Sequence, residues 1–450
     1  MPKKENDEPL QEQQELRCSR RKFLASTAAL TLGTSLSAVA SEPESDSVFT
    51  RPPIPDTDER QPLAVVCTVY RPMSHAYHIA GRFLYGYAQR GKQHVPRQFI
   101  RSIYVDQVPD NDLSREIGKK FNIKITRNVR DALTEEGKLA VAGVLLIGEH
   151  GNYPRNDKGQ ILYPRYELME QIVAVFRQTG KSVPVFNDKH LSYSWTKAKK
   201  MYEWSREPGF PFMAGSSLPV TWRKPELELP LQAKVEDVLV AAYGPVEVYG
   251  FHALEALQVM AERRHGGETG VKAVTCLTGA AVWQAADEGK WSWQLLEAAL
   301  SRSETLNPGD IRRNVKTPLA GQSKTPVVAF LIEYLDGLRG TVLLLNGHIQ
   351  DFCFAAKIQG EAKPVSCLFY LPSPPGARYF DCLVANIEKL FQQQKAPYPV
   401  ERTLLTSGML DFLMESRHKR GARIETPELQ VHYSPPADSG FCRGSTQVGC

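Results

Sequence analysis

The sequence predicts an α/β protein: a Rossmann-like N-terminal domain with a doubly wound parallel sheet, followed by an α+β domain on a large, mainly antiparallel sheet. Three observations predict it. From Leu63 onward, short apolar runs alternate with amphipathic stretches, the arrangement of βαβ units feeding a parallel sheet. After Pro225 the strand candidates lengthen and follow one another with fewer helices between them. Polar residues gather directly behind the strands of the first part, where an open α/β sheet places its ligands.

In the first part, residues 63–225, Leu63–Thr68 reads as a buried strand, His75–Tyr87 as a helix and Phe99–Asp106 as a second strand. The alternation continues with a helix over Ser114–Phe121, a strand over Ile123–Thr126, a helix over Val129–Glu135 and a strand over Ala142–Ile147. Next come a helix over Tyr166–Thr179, a strand over Val183–Phe186, a helix over Trp195–Glu207 and a strand over Phe212–Ala214. In the second part, residues 226–432, strands are expected over Val235–Tyr243, Val271–Thr278, Val327–Tyr334, Arg339–Leu345, Phe352–Ile358 and Val365–Leu371. Helices are expected over Ala253–Arg264, Trp291–Ser301, Tyr379–Gln394 and Thr403–Lys419. Ser303–Lys324 reads as a loop, and the stretch from 433 reads as a tail that loosens from Ser434 onward. An open face on the second sheet would suit a homo-oligomer.

The chain has 450 residues, 42% hydrophobic and 23% charged, enough to bury a core of two or three domains. A net charge of +5 without long basic runs excludes the electrostatic footprint of a nucleic-acid binder. The eight cysteines include no Cys-x-x-Cys pair, which argues against a thiolate metal site, and they read as small buried hydrophobes.

Residues Ser19-Arg20-Arg21-Lys22-Phe23-Leu24 match a twin-arginine export signal, and a mildly apolar stretch from Ala25 to Val39 follows. That stretch is too short and too polar for a stable membrane span. Ala38-Val39-Ala40 supplies small residues for a signal peptidase, so cleavage is expected after Ala40, before a polar linker over 41–62. The expected itinerary is export through the twin-arginine translocase to an extracytoplasmic space.

Candidate site residues follow the predicted strands. Glu149 and His150 stand between two glycines after the strongest strand, with Asn152 and Tyr153 just beyond. Asp188, Lys189 and His190 follow the next strand, and Ser216 and Arg223 follow the third. Imidazoles and carboxylates in such positions suit proton transfer to and from a hydroxyl group.

The order of elements resembles the glucose-fructose oxidoreductase and inositol dehydrogenase family (Gfo/Idh/MocA). Three stretches carry the likeness: Gly180-Lys-Ser-Val-Pro-Val-Phe-Asn-Asp188-Lys189-His190-Leu191, Gly250-Phe-His252-Ala-Leu-Glu255, and Pro399 through Pro427. The resemblance implies a small-molecule substrate such as a sugar or polyol, NAD or NADP as cofactor, and proton chemistry at Lys189 and His252, with Glu255 orienting the imidazole. It implies cofactor contacts by Asp106, Glu149, His150 and Asp188, and by Thr68, Ser74 and His75 in the first loop. Asn152, Tyr153, His190, Ser216 and Arg223 would then face the substrate. The chain departs from the family in that first loop, where Thr68-Val-Tyr-Arg-Pro-Met-Ser74-His75 replaces a glycine-rich turn, and at Val248, where the family has a carboxylate. The departures leave a second reading open, in which the scaffold has lost the dinucleotide and serves as a sugar-binding protein or a metal-dependent lyase or hydrolase.

Overall fold

A run such as Gly143–Ile147, buried at every position, belongs in the middle of a sheet covered on both faces. The computed structural model, which describes residues 60–89, 91–317 and 326–444, puts it there. Strands β1 (Gln61–Cys67), β2 (Gln98–Val105), β3 (Lys124–Thr126), β4 (Gly143–Ile147), β5 (Val185–Asp188) and β6 (Phe212–Gly215) form one parallel sheet in the order β6-β5-β4-β1-β2-β3. The order reverses at β1, so β1 and β4 flank the switch point where such sheets bind ligands. Successive residues of β1 serve opposite faces: Leu63, Val65 and Cys67 pack with helices α1 (His75–Tyr85) and α2 (Ser114–Phe121). Ala64 and Val66 pack with α3 (Val129–Leu133), α4 (Arg165–Thr179) and α5 (Trp195–Trp204).

The chain crosses to a second sheet through β7 (Trp222–Lys224). This sheet adds β8 (Val235–Ala242), β9 (Val271–Thr278), β10 (Val328–Tyr334), β11 (Arg339–Leu344), β12 (Phe352–Ile358), β13 (Val365–Tyr370) and β14 (Ile424–Glu425), in the order β7-β13-β12-β8-β11-β10-β9-β14. Only β8 and β11 pair in parallel. Helix α6 (Val248–Ala261) covers one face, with Val238, Val240 and Ala242 beneath it. Helices α7 (Ala280–Asp287) and α8 (Trp293–Leu300) cover the other, over Leu239 and Ala241. That covering corrects the expectation of an open sheet face. Its cause is α7, an Ala-rich helix whose two turns the sequence pattern does not announce. Helix α9 (Tyr379–Gln393) packs on the first sheet beside α1, and α10 (Glu401–His418) lies against α5, α6 and β9.

Three further expectations change. Helix α6 begins at Val248, a turn and more before the expected Ala253, because the Pro245 and Val246 carbonyls accept from Tyr249 and Gly250. The loop from Ser303 contains a short helical turn over Ile311–Asn314. Residues 434–444 are anchored rather than loose: Cys442 is disulfide-bonded to Cys382 on α9, Phe441 is buried, and the Arg443 guanidinium pairs with Glu228. Cys67, Cys276, Cys353 and Cys367 are free and buried. The export signal, and the linker up to residue 59, lie outside the described residues. Among the described residues no helix is long and apolar enough to cross a membrane.

Candidate active site

Strand β5 ends at Asp188, and the next residue, Lys189, takes the left-handed conformation with φ 70°. A non-glycine residue holds that conformation at a cost of about 1–3 kcal/mol, so surrounding contacts must hold it. The Lys189 amide donates to the Gly215 carbonyl at the end of β6 (3.1 Å), and the residue is 4% exposed. Its ammonium donates to His252 Nε2, 2.6 Å away on α6. With Nε2 accepting, the imidazole proton sits on Nδ1, which lies 3.2 Å from Glu255 Oε2 and 3.0 Å from Ser216 Oγ. Ser216 in turn fixes Glu255, through its amide on Oε1 (2.7 Å) and its hydroxyl on Oε2.

Burial, reinforced by the Lys189 ammonium, holds His252 well below the usual imidazole range, so it rests neutral. Burial pushes the Glu255 carboxyl up to about 7 in spite of the Ser216 donors. Glu149 shows the opposite balance: burial would raise it, but Lys189 and Arg165 together hold it below its ordinary value. The Glu149 carboxylate pairs with the fully buried Arg165 on α4 and stands 3.8 Å from Lys189 Nζ. Arg165 also donates to His190 Nε2 (3.2 Å).

A second imidazole enters from α1. Ser74 caps that helix, with its hydroxyl accepting from the Tyr77 amide, and this leaves His75 as the first helical residue. His75 Nδ1 donates to Asp188 Oδ2 across 2.7 Å. Burial pushes Asp188 up to about 6 against the pull of Lys189, while burial and Lys189 hold His75 well below its ordinary value. His150 meets the His75 ring edge-on at 5.1 Å, and burial beside that ring takes it down to about 4.

These groups line a cavity of about 560 Å³ between the two sheets, where His75, Glu149, His150, Lys189 and His252 face Tyr249 and Phe380. Other sequence-predicted residues stand elsewhere. Arg223 is buried behind the cavity wall, over Phe369 and Phe441, and donates to the Leu227 and Pro219 carbonyls. His190 lies behind the wall against Phe251, and Ser216 behind His252. The Thr68 hydroxyl is spent on the Glu149 carbonyl (2.8 Å), and Asp106, Asn152 and Tyr153 form a separate exposed group at the end of β2. Among the described residues no group of three or more His, Cys, Asp or Glu side chains could hold a metal ion. Arg165, Tyr249 and Phe380 are site residues that the sequence did not single out, because an arginine opening a helix and aromatics in apolar runs look structural.

No family model matches the chain and no curated protein does. Solved structures do. GenD2 from gentamicin A biosynthesis, in complex with NAD, is 14% identical, with 82% of this chain and 96% of that one covered at a TM-score of 0.50. An oxidoreductase from Agrobacterium radiobacter, in complex with NAD+, L-tartaric acid and magnesium, is 12% identical over 81% and 98%, also at 0.50. The myo-inositol dehydrogenase from Lactobacillus casei, in complex with NAD(H) and myo-inositol, is 9% identical over 84% and 99%, again at 0.50. This is the two-domain dehydrogenase fold. The chain spans nearly the whole length of these proteins, so both parts of the dehydrogenase fold are present, as the resemblance implied.

Proposed function

We propose that the chain is an exported oxidoreductase that oxidises a hydroxyl group of a sugar, polyol or related compound and passes the hydride to NAD or NADP. The observation that carries this reading is the Lys189–His252 contact of 2.6 Å on the wall of a cavity at the carboxyl ends of the strands. A hydroxyl oxygen beside Lys189 Nζ receives a hydrogen bond that strengthens as negative charge develops on it. Lys189 then hands a proton to Nε2 and takes one from the hydroxyl, while Glu255 and Ser216 steady the charge at Nδ1. Arg165 keeps Glu149 ionised next to the ammonium, which keeps Lys189 aimed at the cavity.

A nicotinamide dinucleotide suits the crevice in one respect: His150, on the cavity wall, has a buried Nδ1 without a partner, and a bound polar group would satisfy it. His150 and His75, the latter backed by Asp188, would hold its nicotinamide half, and Asp106 its adenosine ribose. The bound group supplies the acceptor for the hydride. The Cys382–Cys442 disulfide supports export, since such bonds persist in oxidising compartments. One observation favours the second reading, a scaffold acting without a dinucleotide. Val69 and Tyr70 are buried in the loop where glycines would admit a pyrophosphate, and Pro72 lacks an amide donor. Denaturing the purified protein and assaying the supernatant for NAD(P) separates the two. A protein that releases none and binds none when it is added ends the dehydrogenase reading.

A further inference from the structure

Both oxygens of Asp106, at the carboxyl end of β2, are occupied. The Tyr104 hydroxyl donates to Oδ1 (3.0 Å) and the Tyr153 hydroxyl to Oδ2 (2.6 Å). Tyr153 belongs to the loop that leaves β4, and β1 lies between β4 and β2 in the sheet. The loop therefore crosses the carboxyl end of β1. A second pair of bonds fastens the crossing: the Asn152 amide donates to Gln107 Oε1 (2.8 Å), and Gln107 Nε2 returns a bond to the Asn152 carbonyl (3.0 Å). Gly151, at φ 108°, makes the close passage possible, because a Cβ there would lie 2.6 Å from the Tyr153 ring and 3.0 Å from Gln107 Oε1. The fastening is built from exposed or half-buried side chains, while the loop's base is tied inside by the Thr68 hydroxyl.

In a doubly wound sheet the acidic residue ending the second strand receives the adenosine ribose, and the dinucleotide runs from it over the end of the first strand. We propose that Tyr153 occupies the ribose position on Asp106, and that the tip of this loop, residues 151–153, is a latch the dinucleotide must lift to bind while Glu149 and His150 at its base stay in place. The inference rests on the NAD(P) reading above. Tyr153 is then the residue that sets cofactor affinity, by competing with the ribose hydroxyls for one carboxylate. The Gln107–Asn152 pair holds the competitor in place.

The test is a fluorescence titration of the full mature chain, freed of endogenous nucleotide, with NADH and with NADPH. Tyr153→Phe removes the hydrogen bond and keeps the ring, so the dissociation constant of the preferred nucleotide falls about three- to tenfold. Gln107→Ala, which unfastens the loop without touching Asp106, shifts it in the same direction and serves if Tyr153→Phe does not fold. Adding Asp106→Asn to Tyr153→Phe reverses the gain. Equal or weaker binding by both single variants overturns the latch while leaving the dehydrogenase reading intact, and so does a gain that survives Asp106→Asn. Absence of binding in the wild type overturns the dinucleotide reading, and the latch with it.

Discussion

Lys189 and His252, one at the end of a strand and the other on a helix of the second half, meet with 2.6 Å between Nζ and Nε2. The lysine sits in the left-handed region at 4% exposure, so the position serves the contact at the expense of backbone ease. Lys189→Gly relieves the left-handed backbone but takes away the ammonium that helps keep Glu149 ionised and the donor to His252, so it is expected to lower unfolding stability by about 1–3 kcal/mol. The same variant is expected to lower turnover on an identified hydroxyl substrate by roughly 10²- to 10⁴-fold. Urea melts and steady-state rates check the two halves, and a glycine variant that stays active removes Lys189 from the chemistry.

Arg165 is wholly buried and its guanidinium faces Glu149 and His190. Arg165→Leu strips the buried Glu149 carboxylate of its direct partner, leaving only the Lys189 ammonium 3.8 Å away, and is expected to cost about 3 kcal/mol in a denaturant titration. Adding Glu149→Leu should recover most of that loss. Additive losses in the double variant would show that each side chain matters for its own packing.

The Glu255 carboxyl stands at about 7 in the folded chain, raised by burial above its ordinary 4.5. A raised carboxyl binds more protons folded than unfolded, so its contribution to stability is full below pH 4.5 and is lost as pH climbs through about 7. Within that window each pH unit should remove up to about 1.4 kcal/mol for this one group. Glu255→Gln keeps an acceptor for the Ser216 amide and cannot ionise, so its stability should be flatter between pH 5 and 7 by roughly that slope. Identical pH profiles in thermal melts would contradict the assignment.

The Cys382–Cys442 bond closes a loop across a sequence separation of 60. Cys442→Ser, or reduction of the wild type, is expected to cost about 4 kcal/mol on the chain-entropy account. It should also expose the last described residues to proteases. Melting with and without reductant, alongside limited proteolysis, reads both effects.

Much of this architecture was legible because burial leaves a period in the sequence. The limits of Ser114–Phe121, Val271–Thr278 and Phe352–Ile358 fall where the apolar pattern put them. Helix α7 was missed because eight residues give barely two turns of pattern, and β7 because its three residues become a strand only through pairing with distant β13. Lys189 and His252 were found through motif likeness, and their contact follows from the fold. Arg165 carried no local sign: a buried guanidinium is defined by the carboxylate it meets, which lies on another element. Arg223 failed for the converse reason, since a polar residue behind a strand can turn inward to carbonyls as readily as toward a ligand.

One peptide group, between Gly215 and Ser216, ties the two ends of the reactive pair together. Its oxygen accepts from the Lys189 amide, and its N–H, on the opposite edge of the same rigid plane, reaches the Glu255 carboxylate that steadies His252. A side chain at 215 would collide with Glu255 Oε1 at 2.9 Å and tilt that plane, parting lysine from imidazole without altering either one.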